Sequence, residues 1–221
     1  LGWKSIFYTN AIVGAVVVVT TLVKIKGEWA ESRGEKFDMI GSFLYVVPFT
    51  VAIYGFTSLP AAKGFAMLAI GLAGLVLFGI WELRVKHPIF EMDLLMDNRA
   101  FLFSNLATLI NYSATFAITF LISLYLQYVK GLSPQVAGLV LVSQPSMQAL
   151  LSSFTGRVSD RVEPRIVSSL GMASLLIGLL FLSFLKETTG TYLIVLNLLF
   201  LGFGFALFVS PNTNAIMSAV D

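Results

Sequence analysis

Cysteine is absent from the 221 residues, which excludes a disulfide framework, a thiolate nucleophile and a sulfur-based metal site, and leaves cysteine usage silent on redox compartment. Histidine occurs once, as His87 ahead of Pro88, with no second ligand nearby to support a metal or catalytic role. Charge is scarce as well: 12% of residues, with a net +2. The basic residues stand in short clusters between apolar runs and form no continuous face, so nucleic acid is not the partner. No nucleophile beside a base, no phosphate-cradling glycine loop and no metal-ligand spacing occurs, which argues against an enzyme and against a bound cofactor. Low-complexity linkers are missing too; the longest polar connection is Lys24 to Asp38, the best candidate for a hinge between bundles.

What is present is apolar. Hydrophobic residues make up 57% of the chain, and the mean hydropathy is +0.87, more apolar surface than a soluble fold can bury. A bilayer core about 30 Å thick takes about 20 apolar residues in a helix, because backbone amides in lipid must find partners within the segment. Seven runs fit: Ile6 to Val23, Met39 to Leu59, Phe65 to Leu83, Phe101 to Leu126, Val136 to Thr155, Ile166 to Leu185 and Thr191 to Val209. None has a charged residue or histidine in its interior; Glu82 lies at an end. The expected fold class is therefore all-α, a polytopic transmembrane helix bundle with seven spans. The chain opens at Leu1 with no charged leader or cleavage site ahead of its first run, so that run is not a signal peptide. Both ends read as cuts in a longer polypeptide.

Lys and Arg set the orientation, since cytoplasmic loops carry the excess. The first, third and fifth loops hold Lys24, Lys26, Arg33 and Lys36, then Arg84, Lys86 and Arg99, then Arg157, Arg161 and Arg165. The other side holds only Lys4, Lys63, Lys130 and Lys186, one per loop. This alternation predicts a multi-pass protein with the Leu1 end outside and the carboxyl end cytoplasmic. Between the third and fourth spans, Ile89 to Asp97 mixes Ile89, Phe90, Met92, Leu94, Leu95 and Met96 with Glu91, Asp93 and Asp97. Either a short interfacial amphipathic helix or a partly buried connector fits it.

Two polar constellations carry candidate function. In the fifth loop Gly156 permits close helix approach, Asp160 can pair with a neighbouring helix end, and Arg161 and Arg165 offer forked donors. Such a group can latch one face of a bundle; it can equally be a positive loop that fixes topology. The second constellation lies within the spans, where a polar side chain is costly unless it faces protein or a wet cavity. Asn105, Thr108, Tyr112, Thr115 and Thr119 recur at three- and four-residue steps along one face of the fourth span. Gln144, Gln148 and Ser152 do the same in the fifth, beside Pro145, which removes a backbone donor and can kink the helix. Asn197 is the strong polar group of the seventh. The sixth has only Ser168, Ser169, Ser174 and Ser183. The fourth, fifth and seventh spans thus read as cavity-facing and the sixth as lipid-facing; the competing explanation is interhelical hydrogen bonding. Gly71, Gly74, Gly79, Gly171, Gly178, Gly202 and Gly204 read as packing surfaces.

Gly2-Trp3-x-x-Ile6-Phe7-Tyr8-x-Asn10-x-x-x-Gly14 resembles the start of the sixth helix in the fourteen-helix drug:proton antiporters of the major facilitator superfamily. His87-Pro88-Ile89-Phe90, followed by Asn98-Arg99-Ala100-Phe101 and Asn105, resembles the approach to that family's ninth helix. Gly156, Asp160, Arg161 and Arg165 resemble the second copy of its cytoplasmic gating motif, with Glu163 where the pattern often has a second glycine. The resemblance extends over most of the chain and implies helices six to twelve of fourteen. Residues 1–23 would be the last helix of the amino-terminal half, 24–38 a cytoplasmic connector, and 39–83 an inserted hairpin. Residues 84–100 would form a cytoplasmic loop, and 101–221 the first four helices of the carboxyl-terminal half.

It further implies proton-coupled efflux of drug-like or amphipathic small molecules by alternating access across the cell membrane. The implied partners are substrate, protons, the lipid bilayer and the missing amino-terminal half. The family's first gating motif, its helix-five antiporter motif and its membrane-embedded acids have no counterpart in these residues. A narrow-substrate metabolite exporter and a nontransporting membrane scaffold are the alternatives; a scaffold predicts that charging the polar stripes harms folding more than transport.

Overall fold

The computed structural model describes residues 4–24, 37–159 and 161–218, the side chain of Asp93 excepted. Among these residues the regular structure is entirely helical. The chain divides into two compact units, residues 1–75 with 85–89, and residues 76–84 with 90–221.

In the first unit, α1 (Lys4–Lys24) coincides with the first apolar run and is exposed along nearly its whole length. Its Thr9, Asn10 and Thr20 side chains donate to carbonyls four residues back, which hides their polarity within the helix. α2 (Met39–Thr57) starts where the Asp38 carboxylate accepts the Gly41 amide at 2.9 Å, an N-cap that ends the polar connection. It packs on α3 (Ala62–Glu82) without side chains between the backbones: a Cβ on Gly71 would stand 2.5 Å from the Ala52 nitrogen. The loop Ser58–Ala61 that joins them contains a cis Leu59–Pro60 peptide.

The second unit opens with the end of α3. Glu82 is buried there, and its Oε2 accepts the Phe90 amide at 2.9 Å, while Oε1 has no partner among the described residues. Of the Ile89–Asp97 stretch only Met92–Asp97, α4, is helical. Asn98 then caps α5 (Arg99–Leu124) by accepting the Phe101 amide at 3.1 Å. The last turn of this span widens into π geometry over Tyr125–Val129. The fifth apolar run forms not one helix but two, α6 (Pro134–Leu141) and α7 (Ser143–Ser159), broken at Val142. Pro145 is the cause, since it offers no N–H to the Leu141 carbonyl and its ring crowds that turn. Among the described residues six helices are consequently long and apolar enough to cross a membrane, and the fifth run, divided into α6 and α7, is not one of them.

α8 (Pro164–Ser183) begins with proline at its first turn, where no amide partner is needed. α9 (Thr191–Met217) runs well beyond Val209, through Pro211. A proline within a membrane helix is tolerated where neighbouring helices enclose it, and Pro211 is buried together with Phe208 and Asn212. α9 is the central element. Ile194, Leu198, Leu201 and Phe205 are buried among Ile118, Ile122 and Leu126 of the α5 span, Ala137 and Val140 of α6, and Leu175 of α8. Gly171 and Gly204 let α8 and α9 touch backbone to backbone: a Cβ on Gly171 would lie 2.6 Å from the Phe208 nitrogen and 2.8 Å from the Gly204 carbonyl oxygen. Gly202 likewise admits the Gln144 carbonyl of α7. The outward faces carry large apolar side chains such as Leu150, Phe181 and Phe184. Surfaces of that kind belong in lipid, where the helical backbone is already satisfied.

Candidate functional site

The polar stripe of α5 does not act as one surface. Asn105 donates to the Phe101 carbonyl at 2.9 Å, within its own helix. Thr108 is engaged by another helix: its Oγ1 accepts from Asn212 Nδ2 at 2.7 Å while donating to the Ser104 carbonyl at 2.9 Å. Tyr112 meets Phe205 edge to face at 5.5 Å between ring centroids. Thr115 and Thr119 remain, and they line a cavity of about 280 Å³ with Leu141, Val142, Gln144, Pro145 and Gln148. Four of the eight candidate substrate residues thus surround one space, at the level where α6 gives way to α7.

The chemistry of that space is uncharged but well supplied with hydrogen-bonding groups. Thr115 Oγ1 donates to the Asn111 carbonyl and Thr119 Oγ1 to the Thr115 carbonyl, each at 2.9 Å, so both hydroxyl protons are engaged and their lone pairs face outward. Gln144 is only 6% exposed, yet its side-chain amide has no hydrogen-bond partner among the described residues. Gln148, half-buried one turn later, is equally unengaged. Neither amide is sealed from solvent, so water or a ligand in the cavity would supply the hydrogen bonds that these groups do not make within the helices.

Asn197 lies elsewhere. Its Nδ2 donates to the Gly178 carbonyl of α8 at 3.0 Å, and it borders a separate apolar cavity of about 510 Å³ with Phe181, Phe184 and Phe200. Ser152 closes on its own helix through the Ala149 carbonyl at 3.0 Å. Ser168, Ser169, Ser174 and Ser183 of α8 all donate to carbonyls three or four residues earlier.

Of the loop constellation, Asp160 lies outside the described residues. Gly156 is half-buried at a close approach of α7 to α9, where an added Cβ would be 3.2 Å from Ser210 Oγ. Arg161 and Arg165 are exposed. Arg165 and Arg99 border a cavity of about 690 Å³ with Ser104, Ser168, Met172 and Asn212, at the ends of α5, α8 and α9. The opposite ends of these helices are tied together by Tyr125, whose hydroxyl donates to the Lys186 carbonyl at 2.6 Å, and by Lys130, whose Nζ donates to the Glu187 carbonyl at 2.7 Å.

Two buried polar residues escaped the sequence reading. Asn212 is 6% exposed and joins α9 to α5 through both Thr108 and the Ser104 carbonyl at 3.1 Å. Ser210-Pro211-Asn212 looks like the start of a loop, and the signal against that was the apolar Ala215-Ile216-Met217 beyond it. Asn111 is 2% exposed, donates weakly to Met172 Sδ at 3.4 Å and leaves Oδ1 unpartnered. It stands three residues after Thr108 and four before Thr115, at the edge of the same stripe, and faces α8 through Met172.

Comparison with known proteins places this geometry in context. The sequence profile of the Major Facilitator Superfamily matches residues 1–221. Multidrug resistance protein Stp of Mycobacterium tuberculosis is 30% identical over 225 residues, covering 99% of this chain and 41% of that protein. Riboflavin transporter RibZ of Clostridioides difficile is 28% identical, over 99% of this chain and 48% of the relative. The tetracenomycin C resistance and export protein of Streptomyces glaucescens is 25% identical, over 99% and 41%. The chain therefore spans less than half the length of these curated relatives.

Proposed function

Because the chain belongs to the Major Facilitator Superfamily, we propose that it is part of a transporter that exports drug-like or amphipathic small molecules across the cell membrane by alternating access. The observation that carries the reading is the cavity of Thr115, Thr119, Gln144 and Gln148, which gathers uncharged hydrogen-bonding groups inside helices otherwise clad for lipid. Relatives named for multidrug resistance and for antibiotic resistance and export support it. In this reading residues 1–23 end one half of the transporter, 39–83 are an inserted hairpin, and 101–221 begin the other half. The amino-terminal half of the same protein would close the cavity from the far side.

Lys and Arg distribution supports an arrangement with the Leu1 end outside and the carboxyl end cytoplasmic. Gly156, Asp160, Arg161 and Arg165 would then form a cytoplasmic latch that opens and closes with the bundle. Coupling to protons follows from the resemblance to drug:proton antiporters. No carboxylate lies in the interior of the seven apolar runs, so the proton would be carried by acids of the other half. A second reading, a narrow-substrate exporter, draws support from the relative named for riboflavin.

The test is dye accumulation in inverted vesicles carrying the full-length protein, with and without a protonophore. Ethidium uptake that collapses with the protonophore and weakens in Asp160→Asn is the expected result. Folded, inserted protein that moves no dye would rule out broad drug export and promote the narrow-substrate reading.

A further inference from the structure

Gln144 combines three features: it is nine-tenths buried, it lines a cavity, and its primary amide has no partner among the described residues. A primary amide presents one acceptor and two donors in a plane, so its natural complement is a group with a donor and an acceptor side by side. Its surroundings narrow the choice further. Thr115 and Thr119 have their protons engaged and offer acceptors only. Gln148 adds a second free amide, Leu141, Val142 and Pro145 supply apolar walls, and no charged side chain lines the space. An ionised ligand group would lose its hydration there without compensation. A neutral one with a paired donor and acceptor would satisfy an amide that otherwise depends on water.

The geometry points to Gln144 as a recognition edge for an uncharged amide, lactam or imide group on the ligand, held bidentately, with Gln148, Thr115 and Thr119 completing its hydrogen bonds. The inference rests on the cavity being part of the substrate path, and it specifies what that path reads. Ligand charge is not sensed on this wall, whereas loss of a single ligand N–H is. A cationic drug that uses this wall would do so through a neutral part of its structure.

The probe pair is 4-aminophthalimide and N-methyl-4-aminophthalimide, two fluorophores that differ only in whether the imide donor is free. Full-length protein in nanodiscs is titrated with each, and the signal from empty nanodiscs is subtracted. The free imide is expected to bind about tenfold tighter than the methylated one, the equivalent of one hydrogen bond lost and its partner left buried. Gln144→Leu is expected to abolish the difference and Gln144→Asn, which keeps the amide on a shorter stem, to retain part of it. Equal affinities in the unsubstituted protein, no saturable binding of either probe, or discrimination that survives Gln144→Leu would each overturn the assignment. The first two outcomes need no variant, so poor folding of Gln144→Leu does not rescue the idea. Dye export by the same protein separates this from the efflux reading: export with no imide discrimination removes the recognition edge alone, and discrimination without export removes efflux alone.

Discussion

The seam between α8 and α9 and the wall shared by α5 and α7 are built from similar helices and treat polarity in opposite ways. Along the seam, Gly171 and Gly204 bring two backbones into contact, and the one long polar side chain, Asn197, is engaged by the Gly178 carbonyl. Along the wall, Gln144 and Gln148 hold amides that have no partner among the described residues, beside a cavity. In hydrocarbon an engaged amide is glue and an unengaged one is a demand for company. Inventories of polar residues in apolar helices therefore say little until each group is asked where its hydrogen bond goes.

The largest expected effect breaks the seam. Gly171→Leu places a side chain where the Phe208 nitrogen already stands, and a loss of about 3 kcal/mol is expected; thermal unfolding of the full-length protein in detergent, followed by size-exclusion chromatography, measures it. A Gly171→Leu protein as stable as the parent would mean the helices are not in backbone contact. Next comes Asn212→Leu, which strips α5 of an interhelical partner and is expected to cost about 1–2 kcal/mol. A double-mutant cycle with Thr108→Val sharpens that result, since the two losses must fall short of additive if the bond at 2.7 Å is real. Asn197→Leu should cost about 0.6 kcal/mol and leave ligand preference alone. Gln148→Leu, its counterpart on the wall, inverts the pattern: stability within about 0.5 kcal/mol and a changed export ratio between ligands with and without a free amide or imide N–H. If Asn197→Leu shifts preference and Gln148→Leu shifts only stability, the roles given to the two regions are reversed.

Most of the helices could be read directly, because 20-residue apolar runs bounded by charge leave few alternatives. The cavity was partly legible for a related reason. Thr115 and Thr119, like Gln144 and Gln148, recur at helical spacing, and periodicity identifies residues that share a face. It does not say what that face meets. Thr108 belongs to the same stripe as Thr115 but is met by Asn212, and Asn197 turns to α8 because glycines there bring the helices together. The extent of α9 was illegible at Pro211, where local rules for proline favour an end and tertiary packing overrides them. Pro145 announced a disturbance in the fifth run, but not whether the helix would bend or break; the structure has it broken at Val142.

That break also bears on how the protein is made. As the nascent chain leaves the ribosome, each apolar helix can partition into the bilayer on its own merits, but α6 is too short to span and α7 carries Gln144, Gln148, Ser152, Ser153 and Arg157 along a modest length. The segment that supplies the cavity wall is therefore the one least able to enter the membrane unaided. Its backbone lies against Gly202 of α9, a helix synthesised later, so the final packing of the cavity wall follows the synthesis of α9.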